Sequence, residues 1–584
     1  MARMASLPLR FAAPTIRRRA PGAPERLPAS LHPVLRRVYA ARGVADADEL
    51  SLELAQLLPV RSLDGIAGAT EVLLDHLARG SRILVVGDFD ADGATSTALV
   101  VRQLSRLGSR RVGFRVPDRA RHGYGLTPEL VAELGPERPD LLVTVDNGVS
   151  AFAGIEAAQA LGMQVLVTDH HLPGPSLPDC AAQVNPNLPG AQFGSRALAG
   201  VGVAFYLIAS VTRSLESARG ERQPPVAELL DLVALGTIAD LVPLDRNNRI
   251  LVREGLRRLC VGQAVPGLLA LAQVAGCRAD ALGTRALGHQ LAPRLNAAGR
   301  IDDMAIGIRC LLADEPAQAL ALAAALDGLN RERRELERRM REEATEAVRR
   351  LRIAEGALPA GVALFDAGWH AGIVGLVAGR LKERLHRPVV AFAPGPGGEL
   401  RGSLRSIEGV HARDALEAVA SGRPGLVRRF GGHAMAAGLT LAAGRFEDFA
   451  EAFAAEIGRR VGPGQLEGVL ESDGELGAGE ISLDTARAIA AGGPWGQGFP
   501  EPLFDGAFGV VASRLVGERH LKLWLRAEAV TAPVEAIAFG YFDEPEARRP
   551  APGERWRLAY RLQPTEYGGR PRAELVAEWL QAAD

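Results

Sequence analysis

Three short apolar runs in the first third of the chain each end abruptly in carboxylates or histidines. Ile83–Val86 leads into Asp88-Phe89-Asp90-Ala91-Asp92-Gly93, Leu141–Val145 into Asp146-Asn147-Gly148, and Val165–Val167 into Asp169-His170-His171. With Val112–Val116, these runs are bounded by Gly, Asp, Asn and Pro and separated by helical stretches. That pattern predicts a parallel, doubly wound α/β sheet. The carboxyl ends of its strands converge on one crevice, where ligands bind. The fourth acidic position, after these three clusters, is Asp240, which follows a helical stretch in the Gly236–Pro243 segment.

A lone Asp after a strand is ordinarily a helix cap or turn residue. All four clusters at strand or helix ends are another matter, since converging carboxylates repel one another unless cations neutralise them. Asp88, Asp90 and Asp92 alternate, so an extended segment points them to one side. The run opens like a calcium loop, but its twelfth position is Leu99 rather than Glu. Hard oxygen donors with one or two imidazoles suit Mn²⁺ or Mg²⁺. The ligands exceed the needs of one ion, so two are expected, a pairing suited to hydrolysis of phosphate esters.

Length, 584 residues, allows roughly four domains. With 47% apolar and 23% charged residues the chain has the composition of a globular protein, not a disordered or disulfide-scaffold one. No apolar run approaches the roughly 18 residues that span a bilayer, so a protein without membrane attachment is expected. Only Lys382 and Lys522 are lysines and neither precedes Ser or Thr, which excludes a P-loop motor. The four scattered cysteines suggest neither a zinc cluster nor disulfides and fit a reducing, cytoplasmic setting. The net charge of −1 gives no global basic footprint, so any nucleic-acid contact must be local.

The organisation reads as an N-terminal arm with helices (1–50), a catalytic domain with a helical extension (51–315) and a long connector helix (316–355). A smaller α/β domain (356–462) and a β-rich domain (463–584) follow. The first 24 residues carry five arginines and no acid, but Pro8, Pro14 and Pro21 spoil an amphipathic helix; a disordered or loosely docked arm is expected. Loops are expected at Leu241–Asn248 and Pro293–Asp303, and a linker at Gly462–Gly468. In the last domain Leu521, Leu523 and Leu525 would face a core, leaving Lys522, Trp524 and Arg526 outward as a single-strand platform. Tyr567-Gly568-Gly569-Arg570 reads as a hairpin turn.

The clusters resemble the DHH/DHHA1 phosphoesterase superfamily, named for the triplet found here as Asp169-His170-His171. The resemblance spans most of the chain and narrows to the branch of bacterial single-strand-specific 5′→3′ exonucleases. It is carried by Gly87–Gly93, Pro117-Asp118-Arg119, Gly123-Tyr124-Gly125-Leu126, Gly236–Asp240 and Pro293–Arg300. Further along, Trp369–Gly375, Gly402–Ser406 and Gly431–Gly438 carry it. Leu404 stands where Gly is common, and Trp495 and Phe499 stand where Phe and Asn are usual.

The resemblance implies a DHH domain, a DHHA1 domain and a C-terminal OB-fold β-barrel, acting on single-stranded DNA in repair and recombination. It makes Asp88, Asp90, Asp92, Asp146, His170 and Asp240 metal ligands, with Asp169 and His171 orienting or completing the catalytic site. Ser403 and Arg405, with Arg119 and Arg294 or Arg300, would hold a 5′-terminal phosphate, and His370 and His433 would touch substrate. A monomer is expected, with a RecQ-type helicase and a single-strand-binding protein as partners. Two rival readings are a DHH hydrolase of short oligoribonucleotides or small phosphates, and a non-catalytic replication scaffold.

Overall fold

The computed structural model describes residues 14–583 apart from 120, 135–137, 279–281, 356, 357, 443, 463, 478, 528–532, 544–546, 568 and 569. Residues 1–13 of the arm and the Gly568-Gly569 turn therefore lie outside the described residues. The chain forms two compact units. One comprises Pro21–Asn330 with Arg487–Glu501; the other comprises Arg331–Ala486 and Pro502–Asp584 with the N-terminal residues through Ala20.

Strand β1 (Thr15–Arg18) belongs to the second of these and is taken up with it. In the first unit β2 (Ile83–Gly87), β3 (Val112–Arg115), β4 (Leu141–Val145), β5 (Gln164–Thr168) and β6 (Ala182–Val184) form an all-parallel sheet. Its order is β3-β2-β4-β5-β6. Every residue of β2 and β4 is buried, as a sheet covered on both faces requires. The winding direction reverses between β2 and β4, so the loops leaving these two strands part and open a crevice. Asp88 and Asp146 follow those two strands.

Helix Leu230–Ala239 ends at Asp240, which caps it. Two loops are shorter than the sequence suggests. Helix Arg246–Cys260 begins inside the expected Leu241–Asn248 loop, because Asp245 caps it by accepting from the Asn248 amide. The expected loop at Pro293–Asp303 is instead mostly the helix Ala292–Ile301. Pro293 follows without a break on the π-helical turn Leu287–Leu291, whose wider hydrogen bonding accommodates a residue with no amide donor.

Helix Pro316–Glu355 is a continuous 40 residues. Beyond it, β7 (Val362–Phe365), β8 (Val389–Pro394), β9 (Leu400–Arg405), β10 (Val427–Gly432) and β11 (Ala436–Leu441) form a sheet ordered β10-β11-β9-β8-β7. Only β7 and β8 run parallel in it. Its core includes Phe392, Phe449 and Phe453.

β12 (Val469–Ser472) pairs in parallel with β1, so this part of the arm is a docked strand. Asp505, fully buried, secures it: Arg18 and Arg557 each donate to its carboxylate at 3.0 Å.

β13 (Phe504–Val516), β14 (His520–Arg526), β15 (Val534–Ala538), β16 (Arg555–Tyr567) and β17 (Arg570–Ala582) close a barrel. Leu521, Leu523 and Leu525 are buried, but the row Lys522–Trp524–Arg526 is not uniformly outward. Lys522 is only 7% exposed and lies between Glu535 on β15 and Glu574 on β17. Alternation told which face it takes, not that neighbouring strands place two carboxylates there.

Candidate metal centre

The acids converge as strand ends and helix caps. Asp90 caps the helix Ala91–Arg106, its Oδ1 accepting from the Asp92 and Gly93 amides. Asp92, in the first turn, accepts from the Gly200 amide at 2.7 Å and the Val201 amide at 3.0 Å. Asp146 follows β4 in a left-handed conformation, φ 63°, which a non-glycine residue adopts only when its surroundings hold it there. His170 Nε2 stands 3.1 Å from Asp146 Oδ1 and 3.5 Å from Asp240 Oδ2.

Ligand atoms of three triplets come within 4.8 Å of one another: Asp88, Asp90 and Asp146; Asp146, His170 and His171; and Asp92, His170 and Asp240. Asp146 and His170 each belong to two triplets, so they are the shared corner of the cluster. His171, expected beside the ligands, is among those able to ligate. Asp169 is in none of the triplets. Its Oδ2 accepts from the Val149 amide, while its Oδ1 accepts from the His170 and His171 amides and faces His171 Nδ1 at 2.7 Å. These bonds hold the His170–His171 segment and the His171 ring in place.

The electrostatics call for a cation. Burial, then the neighbouring carboxylate of Asp90, pushes the Asp88 carboxyl well above its ordinary value. Burial and Asp90 likewise raise Asp92 to about 7, and burial and Asp92 raise Asp240 to about 9. Asp146 is driven well up by burial and then by Asp92, Asp90, Asp240 and Asp88. Against its own burial, His171 is raised to about 9 by its bond to Asp169. Asp88 Oδ1 is buried with no hydrogen-bond partner among the described residues. Oxygen-rich, partly unsatisfied and mutually repelling, this donor set fits hard divalent ions.

Arg119 lies beside the cluster, its guanidinium 3.9 Å above the Phe89 ring and within electrostatic reach of Asp88 and Asp90. Arg300 is on the helix Ala292–Ile301, which touches the same loop: Gly299 abuts the Phe89 carbonyl, and Asn296 accepts from the Ala91 amide. Arg294 differs. It is 7% exposed, its Nε donates to Asp327 at 2.9 Å and its Nη1 to the Gln290 carbonyl. That guanidinium is committed to tying helices together.

In the second unit Ser403 and Arg405 come together on β9, where Arg405 Nη1 donates to Ser403 Oγ at 2.7 Å. Gly375 packs against both. His370 accepts from the Gly372 amide just before that helix, Val374–Leu385, and His433 is exposed between β10 and β11. On the barrel, Trp524 is half-buried under Arg514 and Arg526 is exposed.

Several supporting residues have no role assigned from the sequence, although Asn147 and Tyr124 lie within motifs quoted from it. Asn147 donates to the carbonyls of Val86 and Val145, tying β2 to β4. Asn185 and Asn187 donate to the carbonyls of His171 and His170. Tyr124 donates to the Asp146 carbonyl at 3.0 Å. Asn beside a strand end is common in turns, so residue type alone could not single these out.

Three family models match in succession: the DHH family N-terminal domain over residues 82–237, the DHHA1 domain over 358–459 and the RecJ OB domain over 472–578. The chain is 49% identical over 572 residues to the single-stranded-DNA-specific exonuclease RecJ of Dickeya dadantii, covering 96% of this chain and 98% of that one. The chain belongs to the RecJ family. The Escherichia coli RecJ is 47% identical, covering 94% of this chain and 96% of its own. The crystal structure of RecJ in complex with Mn²⁺ from Thermus thermophilus superposes with a TM-score of 0.78 at 31% identity. That match covers 95% of this chain and 76% of the Thermus chain. RecJ-family membership accounts for the parallel sheet, the smaller sheet and the barrel in one chain.

Proposed function

We propose that this chain is a metal-dependent exonuclease that degrades single-stranded DNA 5′→3′ to mononucleotides, using Mn²⁺ or Mg²⁺ in a two-ion site. The observation that carries the reading is the overlap of three ligand triplets through Asp146 and His170. Divalent ions at such a cluster supply Lewis acidity, lowering the pKa of water and offsetting charge on phosphate oxygens. Asp88, Asp90, Asp92, Asp146, His170, His171 and Asp240 would hold them.

The chain's own residues do the positioning. Asp169 holds His171 through Nδ1 and leaves the far edge of the ring for the site. Arg119, with Arg300, is suited to phosphate oxygens near the cluster, because guanidinium forks match them bidentately. Ser403 and Arg405 form a preassembled hydroxyl–guanidinium pair for a terminal phosphate, with His370 and His433 nearby in sequence motif. Trp524 and Arg526 would meet the strand by stacking and charge.

Among the described residues no helix is long and apolar enough to cross a membrane. We place the protein in the cytoplasm as a monomer acting in DNA repair and recombination, with a RecQ-type helicase and a single-strand-binding protein as partners.

The test is digestion of single-stranded DNA in Mn²⁺ with either the 5′ or the 3′ end blocked, and Asp146→Ala as control. Release of mononucleotides stopped only by the 5′ block, and absent in the variant, is expected. Cleavage of short oligoribonucleotides but not of long DNA would overturn the reading.

A further inference from the structure

Within the unit that holds the metal cluster, a cavity of about 250 Å³ is lined by Arg42, Glu49, Asp245, Arg246, Arg249 and Phe499 among others. Asp88, Asp90, Asp92, Asp146, His170 and Asp240 are not part of its wall. Arg249 is 4% exposed, and its guanidinium sits 3.9 Å above the ring of Phe499. Phe499 in turn stacks on Trp495, their centroids 5.2 Å apart and planes 9° from parallel. The guanidinium is thus held on a rigid aromatic support, a favourable contact for a cation.

What Arg249 lacks is an ion-pair partner in contact with it. Its Nε is buried without a hydrogen-bond partner, and among the described residues no carboxylate forms an ion pair with it. Of the acids that share the cavity, Glu49 lies within electrostatic reach of Arg249 without pairing with it, and Asp245 is engaged elsewhere. Asp245 accepts from the Ser195 hydroxyl and the Asn248 amide, and Glu49 Oε1 accepts from the Ala45 amide. Arg246 also has no carboxylate partner among the described residues; its Nη2 donates to the Asp48 carbonyl at 2.7 Å and to the Gln56 side chain. A buried cation with no acid in contact is unfavourable, and water could satisfy its hydrogen bonds but not its charge.

We propose that this cavity is a second anion site, separate from the metal cluster, that takes a phosphate group. A phosphate can accept from Arg249 and Arg246 together and carries enough charge to answer both, which a single carboxylate does not. Pro243 and Leu244 wall the cavity and continue the chain from Asp240, so an occupant would brace the loop that presents that ligand. The site stands on this geometry whether or not the nuclease reading holds.

Equilibrium dialysis of the full chain against radiolabelled inorganic phosphate, in EDTA so that no metal retains it, tests the proposal. Saturable binding is expected to persist in Arg405→Gln, which removes any phosphate held by the Ser403–Arg405 pair, and in that background to be weakened at least tenfold by Arg249→Gln and less by Arg249→Lys. Competition by thymidine 5′-monophosphate alone would mark a free nucleotide phosphate as the ligand. Competition by an end-blocked oligothymidylate would mark a strand phosphate. Should Arg249→Gln fail to fold, Arg246→Gln, at an exposed residue, decides and is also expected to weaken binding. Absence of saturable binding, or binding lost in Arg405→Gln and kept in both Arg249→Gln and Arg246→Gln, overturns the proposal.

Discussion

A Cβ added to Gly200 would lie 2.6 Å from the Cβ of Asp146. The helix Gly200–Arg219 therefore begins against one member of the cluster while its first amides donate to another, Asp92. One helix start thus sets the spacing between acids that follow β2 and β4.

Gly200→Ala is expected to push Asp146 away from His170 and lower kcat/KM by roughly 100-fold, the scale of a displacement near 1 Å. Mn²⁺ titration should show weaker binding in the same variant. Gly202→Ala, which meets only the flexible end of Leu198 at 3.0 Å, is the control and should stay near wild type. Activity of Gly200→Ala within threefold of the control would refute the spacing argument.

Asp146→Asn separates the cost of the cluster from its use. The carboxylate is buried and repelled by four others, and Asn tolerates the left-handed backbone there. The variant should lose hydrolysis by at least roughly 1,000-fold, about 4 kcal/mol of barrier. In EDTA, however, it should melt no lower than the wild-type protein, and higher at pH 8. A metal-free melting temperature well below wild type would show that the charge is not a burden.

The raised acids also fix the sign of a pH dependence. Asp92 and Asp240 titrate near 7 and 9 when folded, above the ordinary carboxyl range, so burying their charged forms costs stability as pH rises through that window. His171, raised to about 9, adds stability below its ordinary value that is lost over the same rise. All three point one way: the metal-free protein should melt lower at pH 9 than at pH 6, by roughly 5 °C or more. Saturating Mn²⁺ should raise the melting temperature more at pH 9 than at pH 6, because binding then displaces fewer protons. An equal gain at both values would count against this cluster as the metal site.

How much of this was legible depended on the range of the interaction. Val85 and Val143 lie in short apolar runs, and Asp88 and Asp146 follow within a few residues, so strand and acid could be read together. The role of Asp169 could be read only as one of two choices, since ligand and orienting carboxylates look alike until hydrogen bonds are seen. Arg294 looked like a phosphate fork because its partner, Asp327, is 33 residues away on another helix. The β1–β12 pairing joins residues 454 positions apart through Arg17 and Glu471, and no local pattern announces it. Pro293 pointed to a loop because no residue pattern announces the π-helical turn Leu287–Leu291 that carries the helix through it.

Lys522 offers the sharpest contrast between a sequence face and a structural one. Bracketed by Glu535 and Glu574 and 7% exposed, it neutralises charge inside the barrel wall rather than presenting it to a strand of DNA. Lys522→Met leaves two nearby carboxylates uncompensated and should destabilise the barrel by roughly 3 kcal/mol. Combining it with Glu535→Gln and Glu574→Gln should recover most of the loss, since removing a whole buried ion group is far cheaper than removing one member. Glu535 also pairs with Arg572, so the recovery should be incomplete. The salt dependence of single-stranded DNA binding provides the second readout. Arg526→Ala, at an exposed position, should reduce the slope of log K against log salt by about 1. The Lys522 triple variant should leave that slope unchanged. If Lys522→Met instead lowers the slope at unchanged thermal stability, the lysine reaches DNA after all.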